Sequence, residues 1–168
     1  MRFNLIPLFL VVTVTAYSQK VTIEDINKYV DHIDSCTNLK LIEYDWCKVT
    51  GSQINQQVVL RVWKSENQIV KIEEQFDASY GNYSRVIYLK KDKPIKGLEI
   101  EENFAIKNNQ IDYSKLNVQF KMEVFVTGFN KIIGEFEFEV KEEGIRNLTE
   151  SYSDLNSLFS ILNEISNL

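Results

Sequence analysis

Val118, Phe120, Met122, Val124 and Val126 fall on every second position, with Gln119, Lys121, Glu123 and Phe125 between them. A helix turning every 3.6 residues scatters such a set around its circumference, whereas a strand sends it to one face. Phe136, Phe138 and Val140 repeat the rhythm against Glu135, Glu137, Glu139 and Lys141. Two half-apolar strands this close in the chain predict an antiparallel pair with one buried and one wet face. With Thr127-Gly128-Phe129-Asn130-Lys131 as the connection, the predicted register sets Phe120 opposite Phe138, Met122 opposite Phe136 and Val118 opposite Val140 on the inner face. Lys121 then meets Glu137 on the outer face and compensates part of the acid row.

Upstream, two segments read as strand, polar turn, strand. Val62-Trp63-Lys64-Ser65-Glu66-Asn67-Gln68-Ile69-Val70-Lys71-Ile72-Glu73 matches Tyr88-Leu89-Lys90-Lys91-Asp92-Lys93-Pro94-Ile95-Lys96-Gly97-Leu98-Glu99 at a shift of 26 residues. Two copies predict a meander in which each hairpin pairs with the next, rather than a solenoid. A further strand is expected between Leu41 and Val49, for about seven in all. Over residues 58 to 103 the pattern resembles exported bacterial proteins built from successive aromatic-x-x-Asp/Asn-Gly/Lys-Lys-Pro/Leu-Ile/Val-Lys-Ile hairpins. This sequence departs from that pattern at Gln68 and Gly97, and neither copy has the turn glycine. The resemblance implies a compartment and a shape but no mechanism.

At the ends of the sheet region the period returns to 3.6. Thr22 is placed to cap a helix with Asp25 reaching back, and Ile23, Ile26, Val30 and Ile33 share one face, which predicts a helix over 23–34. Leu155, Leu158, Phe159, Leu162 and Ile165 predict a second amphipathic helix, with Ser151 and Asp154 in capping register. The expected fold is therefore α+β: an antiparallel meander of about seven strands with an N-terminal and a C-terminal helix packed on one face.

Residues 1–18 have the layout of a secretory signal: Arg2, an apolar run from Leu5 to Val14, then Ala16 and Ser18 before Gln19. The run is about half of what a spanning helix needs, so cleavage is expected rather than anchoring, leaving 19–168 as a single periplasmic or extracellular domain. Cleavage removes one arginine and no acid, which leaves 18 basic residues against 24 acidic ones. That balance argues against nucleic acid or anionic lipid as a partner and permits a basic protein. In an oxidising compartment Cys36 and Cys47 are expected to form one disulfide, closing a short loop for about 3 kcal/mol.

The reactive inventory is short. A single histidine, His32, excludes two-His zinc helices, and there is no Cys-x-x-Cys pair, no Gly-x-Ser-x-Gly elbow and no Ser-x-x-Lys pair. Asp31, His32, Asp34 and Cys36 gather in one short segment, with His32 and Cys36 four apart, but Ile33 marks the buried side and the acids fit a solvated flank. The pairs Glu73 with Glu74, Glu99 with Glu101 and Glu137 with Glu139 are expected in water on outer strand faces, not facing each other across a cleft as glycoside hydrolysis requires. Between the two hairpins, Asp77-Ala78-Ser79-Tyr80-Gly81-Asn82-Tyr83-Ser84 reads as an aromatic loop. Trp63, Tyr80, Asn82 and Tyr83 form the expected contact surface, because tyrosine offers large area at low entropy cost. No catalytic residue, metal ligand or cofactor site is expected. The expected role is a non-enzymatic binding module for a protein partner. A small apolar-ligand carrier or an inhibitor of a basic enzyme is the alternative, and a hydrolase ranks last.

Overall fold

The computed structural model describes residues 21–45, 58–130 and 135–146. One helix, α1 (Ile23–Ser35), precedes seven strands: β1 (Lys40–Asp45), β2 (Val58–Ser65), β3 (Gln68–Ala78), β4 (Gly81–Lys90), β5 (Lys93–Lys107), β6 (Gln110–Asn130) and β7 (Glu135–Gly144). They form a single antiparallel sheet in the order β1-β2-β3-β4-β5-β6-β7, an uninterrupted meander. The signal segment, Cys47 and the helix expected near the C-terminus lie outside the described residues.

Helix α1 starts as its sequence prescribes. Thr22 Oγ1 accepts from the Asp25 backbone N–H at 3.2 Å and donates to the Asp25 carboxylate at 2.7 Å. Ile26, Val30 and Ile33 are buried against Val70, Val86, Tyr88 and Phe125 of the sheet. Burying each aliphatic chain contributes about 1.5–3 kcal/mol. Polar contacts fix the docking angle: Lys71 Nζ and Tyr88 Oη both donate to Asp34 at 2.8 Å, Lys96 Nζ donates to Asn27 Oδ1 at 3.1 Å, and Tyr29 Oη donates to the Leu89 carbonyl at 3.0 Å. Asp34 stays exposed at 42%, on the solvated flank expected of it, and from there also ties helix to sheet.

The two hairpin copies superimpose by register at a shift of 25, not 26. Trp63 pairs with Lys71 around a bulge at Val70, as Tyr88 pairs with Lys96 around one at Ile95. Matching the bulges and turns, rather than the apolar letters, sets the equivalence. In both copies the bulge turns two successive residues to the helix side, so Lys71 and Lys96 lie under α1. The turns manage without glycine by placing Glu66 and the pair Lys91-Asp92 at positive φ, and the β5–β6 turn uses Asn108-Asn109 in the same way.

Two expectations are corrected. The β6–β7 register is displaced by six residues: Phe120 lies opposite Gly144, Met122 opposite Glu142 and Val124 opposite Val140. Gly128 is not in the turn. It sits within β6 beside a bulge at Thr127 and opposite Glu137, so the strand runs on to Asn130. Because the displacement is even, the alternation of faces survives, and Lys121 meets Glu143 instead of Glu137.

The second correction concerns the wet face. From β2 to β5 the side away from α1 also excludes water, with Leu60, Val62, Ile72, Ile87 and Leu89 at 0–3% exposure. Central strands here are covered on both sides, which the unbroken run Val86-Ile87-Tyr88-Leu89 reflects, since all four are buried. Among the described residues Cys36 carries a free thiol, and Cys47, the partner expected for it, lies outside them. A domain of this size does not depend on such a link.

Candidate functional site

Strand register places charged residues in a row across the second face. Glu74 of β3 lies opposite Arg85 of β4, which lies opposite Glu99 of β5, which lies opposite Met122 of β6. One step along the strands, Phe76, Tyr83, Glu101 and Phe120 form the next row. Glu74, Arg85, Glu99 and Glu101 are all 5% exposed or less, and Tyr83 is fully buried. The expectation that Glu74, Glu99 and Glu101 stand in water is therefore overturned: their strands are interior, and Arg85 arrives in register with Glu74 and Glu99 to offset their desolvation.

Arg85 donates to Glu74 Oε2 through Nε at 2.7 Å and again through Nη2. Arg146, just beyond β7, brings Nη2 to 3.1 Å from Glu99 Oε1 and lays its guanidinium 4.4 Å over the Phe120 ring. Its position is set by two bonds that tie Ile145 to Gln119, one from the Ile145 N–H at 3.0 Å and one from Gln119 Nε2 at 3.3 Å. Burial raises the Glu99 pKa above the usual carboxylate value, against the opposing pull of Arg146, the Tyr83 hydroxyl and Arg85. Burial also holds the Tyr83 phenol protonated well beyond its ordinary range. Tyr83 Oη and Glu99 Oε2 complete no hydrogen bond of sound geometry among the described residues. Chemically, the two buried acids of β5, Glu99 and Glu101, stand side by side on one face of one strand, with the Arg146 guanidinium against Glu99. Glycoside hydrolysis instead needs carboxyl groups that face each other across a substrate cleft.

The residues expected as a contact surface are distributed differently. Trp63 is half-buried against the α1 core, with Lys71 Nζ 5.0 Å from its ring. The aromatic loop is a tight β3–β4 turn in which only Ser79 and Tyr80 fall outside the strands. Tyr80 is half-buried, and its carbonyl accepts from the Phe104 N–H at 2.9 Å. Asn82 is half-buried, and its amide donates to Asp77 Oδ1 at 3.0 Å in its hydrogen-bonding orientation. Tyr83 stacks on Phe76 with centroids 4.5 Å apart and reaches no solvent. The four do not form an outward patch. His32 is exposed on α1, and among the described residues no three His, Cys, Asp or Glu side chains converge as a metal ion would require.

The surface that sequence reasoning missed lies at the other end of the sheet. Of the nine exposed large apolar side chains among the described residues, seven belong to β5, β6, β7 or the residue after them: Ile106, Ile111, Tyr113, Val118, Phe138, Val140 and Ile145. Pairing with β4 ends at Asn103 and pairing with β7 ends at Phe120, so the β5–β6 hairpin projects as a two-stranded arm. At its tip Ile106 is 76% exposed and pairs with Ile111. Tyr113 sits on a bulge held by Ser114 against Asp112, and its ring contacts Phe104 edge-on at 5.1 Å. The sequence signal was present: Ala105-Ile106 and Ile111 flank an Asn108-Asn109 turn. Among the described residues no helix is long and apolar enough to cross a membrane. Comparison with protein-family models, with curated proteins and with solved structures returned no match.

Proposed function

We propose that this chain is an exported, non-enzymatic interaction module whose contact surface is the β5–β7 margin, with the projecting arm as its leading element. The observation that carries the reading is the gathering of exposed apolar side chains on that margin while the second face of β2–β4 is closed to water. Apolar groups concentrated on an arm that, among the described residues, extends past both neighbouring strands are characteristic of interaction sites. Export rests on the signal-like residues 1–18, and N-terminal sequencing of the mature protein is expected to begin at Gln19. The C-terminal apolar periodicity supports a second helix in the same domain.

The test is affinity capture from native envelope and medium with the wild type and with an Ile106→Ser, Ile111→Ser, Tyr113→Ser variant. Because these side chains are exposed, the variant is expected to keep the wild-type melting temperature and lose the co-purifying partner. A variant that retains every partner refutes the margin as the contact surface.

A second reading, a small-ligand carrier, draws on the apolar cluster of Leu60, Val62, Ile72, Ile87 and Leu89 beside a charged row in which Tyr83 Oη and Glu99 Oε2 complete no hydrogen bond of sound geometry among the described residues. Saturable, stoichiometric binding of a fluorescent fatty acid supports it, and no binding removes it.

A further inference from the structure

The sheet has two edges, and they differ in charge. β1 mixes Lys40 with Glu43 and Asp45. β7, Glu135-Phe136-Glu137-Phe138-Glu139-Val140-Lys141-Glu142-Glu143-Gly144, carries five acids and one base in ten residues. Among the described residues it pairs only with β6. Its register sorts the side chains: Glu139, Lys141 and Glu143 lie opposite Phe125, Glu123 and Lys121 on the α1 side, while Phe138, Val140 and Glu142 lie opposite Val126, Val124 and Met122 on the other. Glu139, Glu142 and Glu143 are exposed, Phe138 is 40% exposed and Val140 49%. The one base, Lys141, lies between Glu139 and Glu143 on the same face, is itself exposed, and sets its Nζ 5.3 Å from the Phe125 ring. An edge strand offers a row of backbone donors and acceptors to any extended chain, and side-chain charge decides which chain. A second copy of β7 would set carboxylate beside carboxylate, which disfavours self-association. A strand with bases on one face and apolar groups on the other meets Glu139 and Glu143 on one side and Phe138 and Val140 on the other.

We propose that the outer edge of β7 receives an added strand from a basic partner, an extended segment alternating Lys or Arg with apolar residues. This rests on the reading of the β5–β7 margin as a contact surface and names the partner that one part of it takes.

The test uses the full mature protein and the synthetic peptide acetyl-Lys-Val-Lys-Val-Lys-Val-Lys-amide, with amide hydrogen exchange read residue by residue. The expected result is saturable binding that slows exchange in β7 by about tenfold or more and leaves β1 unchanged. Its Glu-Val counterpart and a peptide N-methylated at alternate residues are expected not to bind, since one lacks the charge and the other the backbone donors. The exposed pair Glu139→Lys, Glu143→Lys is expected to weaken the lysine peptide about tenfold or more while the protein's melting temperature stays near that of the wild type. Absence of protection in β7, equal binding by the N-methylated peptide, or undiminished binding by the charge-reversed protein overturns the proposal. If the lysine peptide fails while the arm variant still loses its captured partner, the edge proposal falls and the margin reading stands.

Discussion

Replacing Arg85 by methionine keeps most of the side chain's volume and removes its charge from the interior of the second face. In the wild type both partners are desolvated, with side-chain exposures of 6% for Arg85 and 3% for Glu74, and two guanidinium nitrogens donate to one carboxylate oxygen. Arg85 also lowers the pKa of Glu99 across the next strand. Arg85→Met therefore leaves Glu74 as an uncompensated buried charge and withdraws support from Glu99. Breaking a buried pair in this way costs about 3–5 kcal/mol. Set against a typical total of about 5–15 kcal/mol, that is a large share of the fold's stability. For a domain near this length it lowers the melting temperature by roughly 6–20 °C. Urea denaturation followed by tryptophan fluorescence measures it. The companion Glu74→Leu, Arg85→Met is expected to return to within about 1 kcal/mol of the wild type or to exceed it, because well-packed apolar replacements carry no desolvation penalty. A single variant that costs less than about 1 kcal/mol, the size of an exposed pair, refutes the claim that this row is dry.

Other consequences are equally direct. Because burial raises the Glu99 pKa above its ordinary 4.5, the folded state holds that proton to higher pH than the unfolded chain does. The stability of the wild type relative to Glu99→Gln should then be greatest below the unfolded value and fall as pH rises through the folded one. Urea titrations across that range would contradict this with a difference that grows with pH. Asp34→Ala removes the shared acceptor of Lys71 and Tyr88 and should cost about 1–3 kcal/mol in thermal unfolding, with loss of α1 docking seen as faster exchange in residues 26–33. Gly81→Ala should fail to fold or lose more than about 3 kcal/mol, since a Cβ there would lie 1.8 Å from the Glu102 carbonyl oxygen. Gly128→Ala meets only the movable Glu137 carboxylate at 3.0 Å and should cost under about 1 kcal/mol by the same denaturation assay.

How much of this was legible in the sequence follows from which signals are local. The α1 cap and apolar face were readable because Thr22, Asp25 and the spacing of Ile26, Val30 and Ile33 act within a few residues. The meander was readable from alternation and polar turns. What failed is set by long-range geometry. Gly128 looks the same in a turn and beside a bulge until β7 chooses its partner, and that choice moved the register by six residues. The hairpin repeat was aligned on side-chain type, while the bulges at Val70 and Ile95 count residues differently. Glu74 stands in the polar run Glu73-Glu74-Gln75 and Glu99 alternates with Leu98 and Ile100, both as solvent-facing residues do, and only the assembled register brings Arg85 to Glu74 and takes both out of water. The tyrosine loop failed for a related reason: Tyr83 shares a face with the buried row, which its polar neighbours Asn82 and Ser84 conceal.

The account of the margin depends on which residues β7 sets against β6, because that register decides which acids and apolar groups meet the outside. Cross-strand Hα–Hα nuclear Overhauser contacts report it without assumption. The structure predicts contacts drawn from the pairs Phe120 with Gly144, Met122 with Glu142 and Val124 with Val140. Contacts between Phe120 and Phe138, or between Met122 and Phe136, would contradict it and dismantle the acidic edge as described.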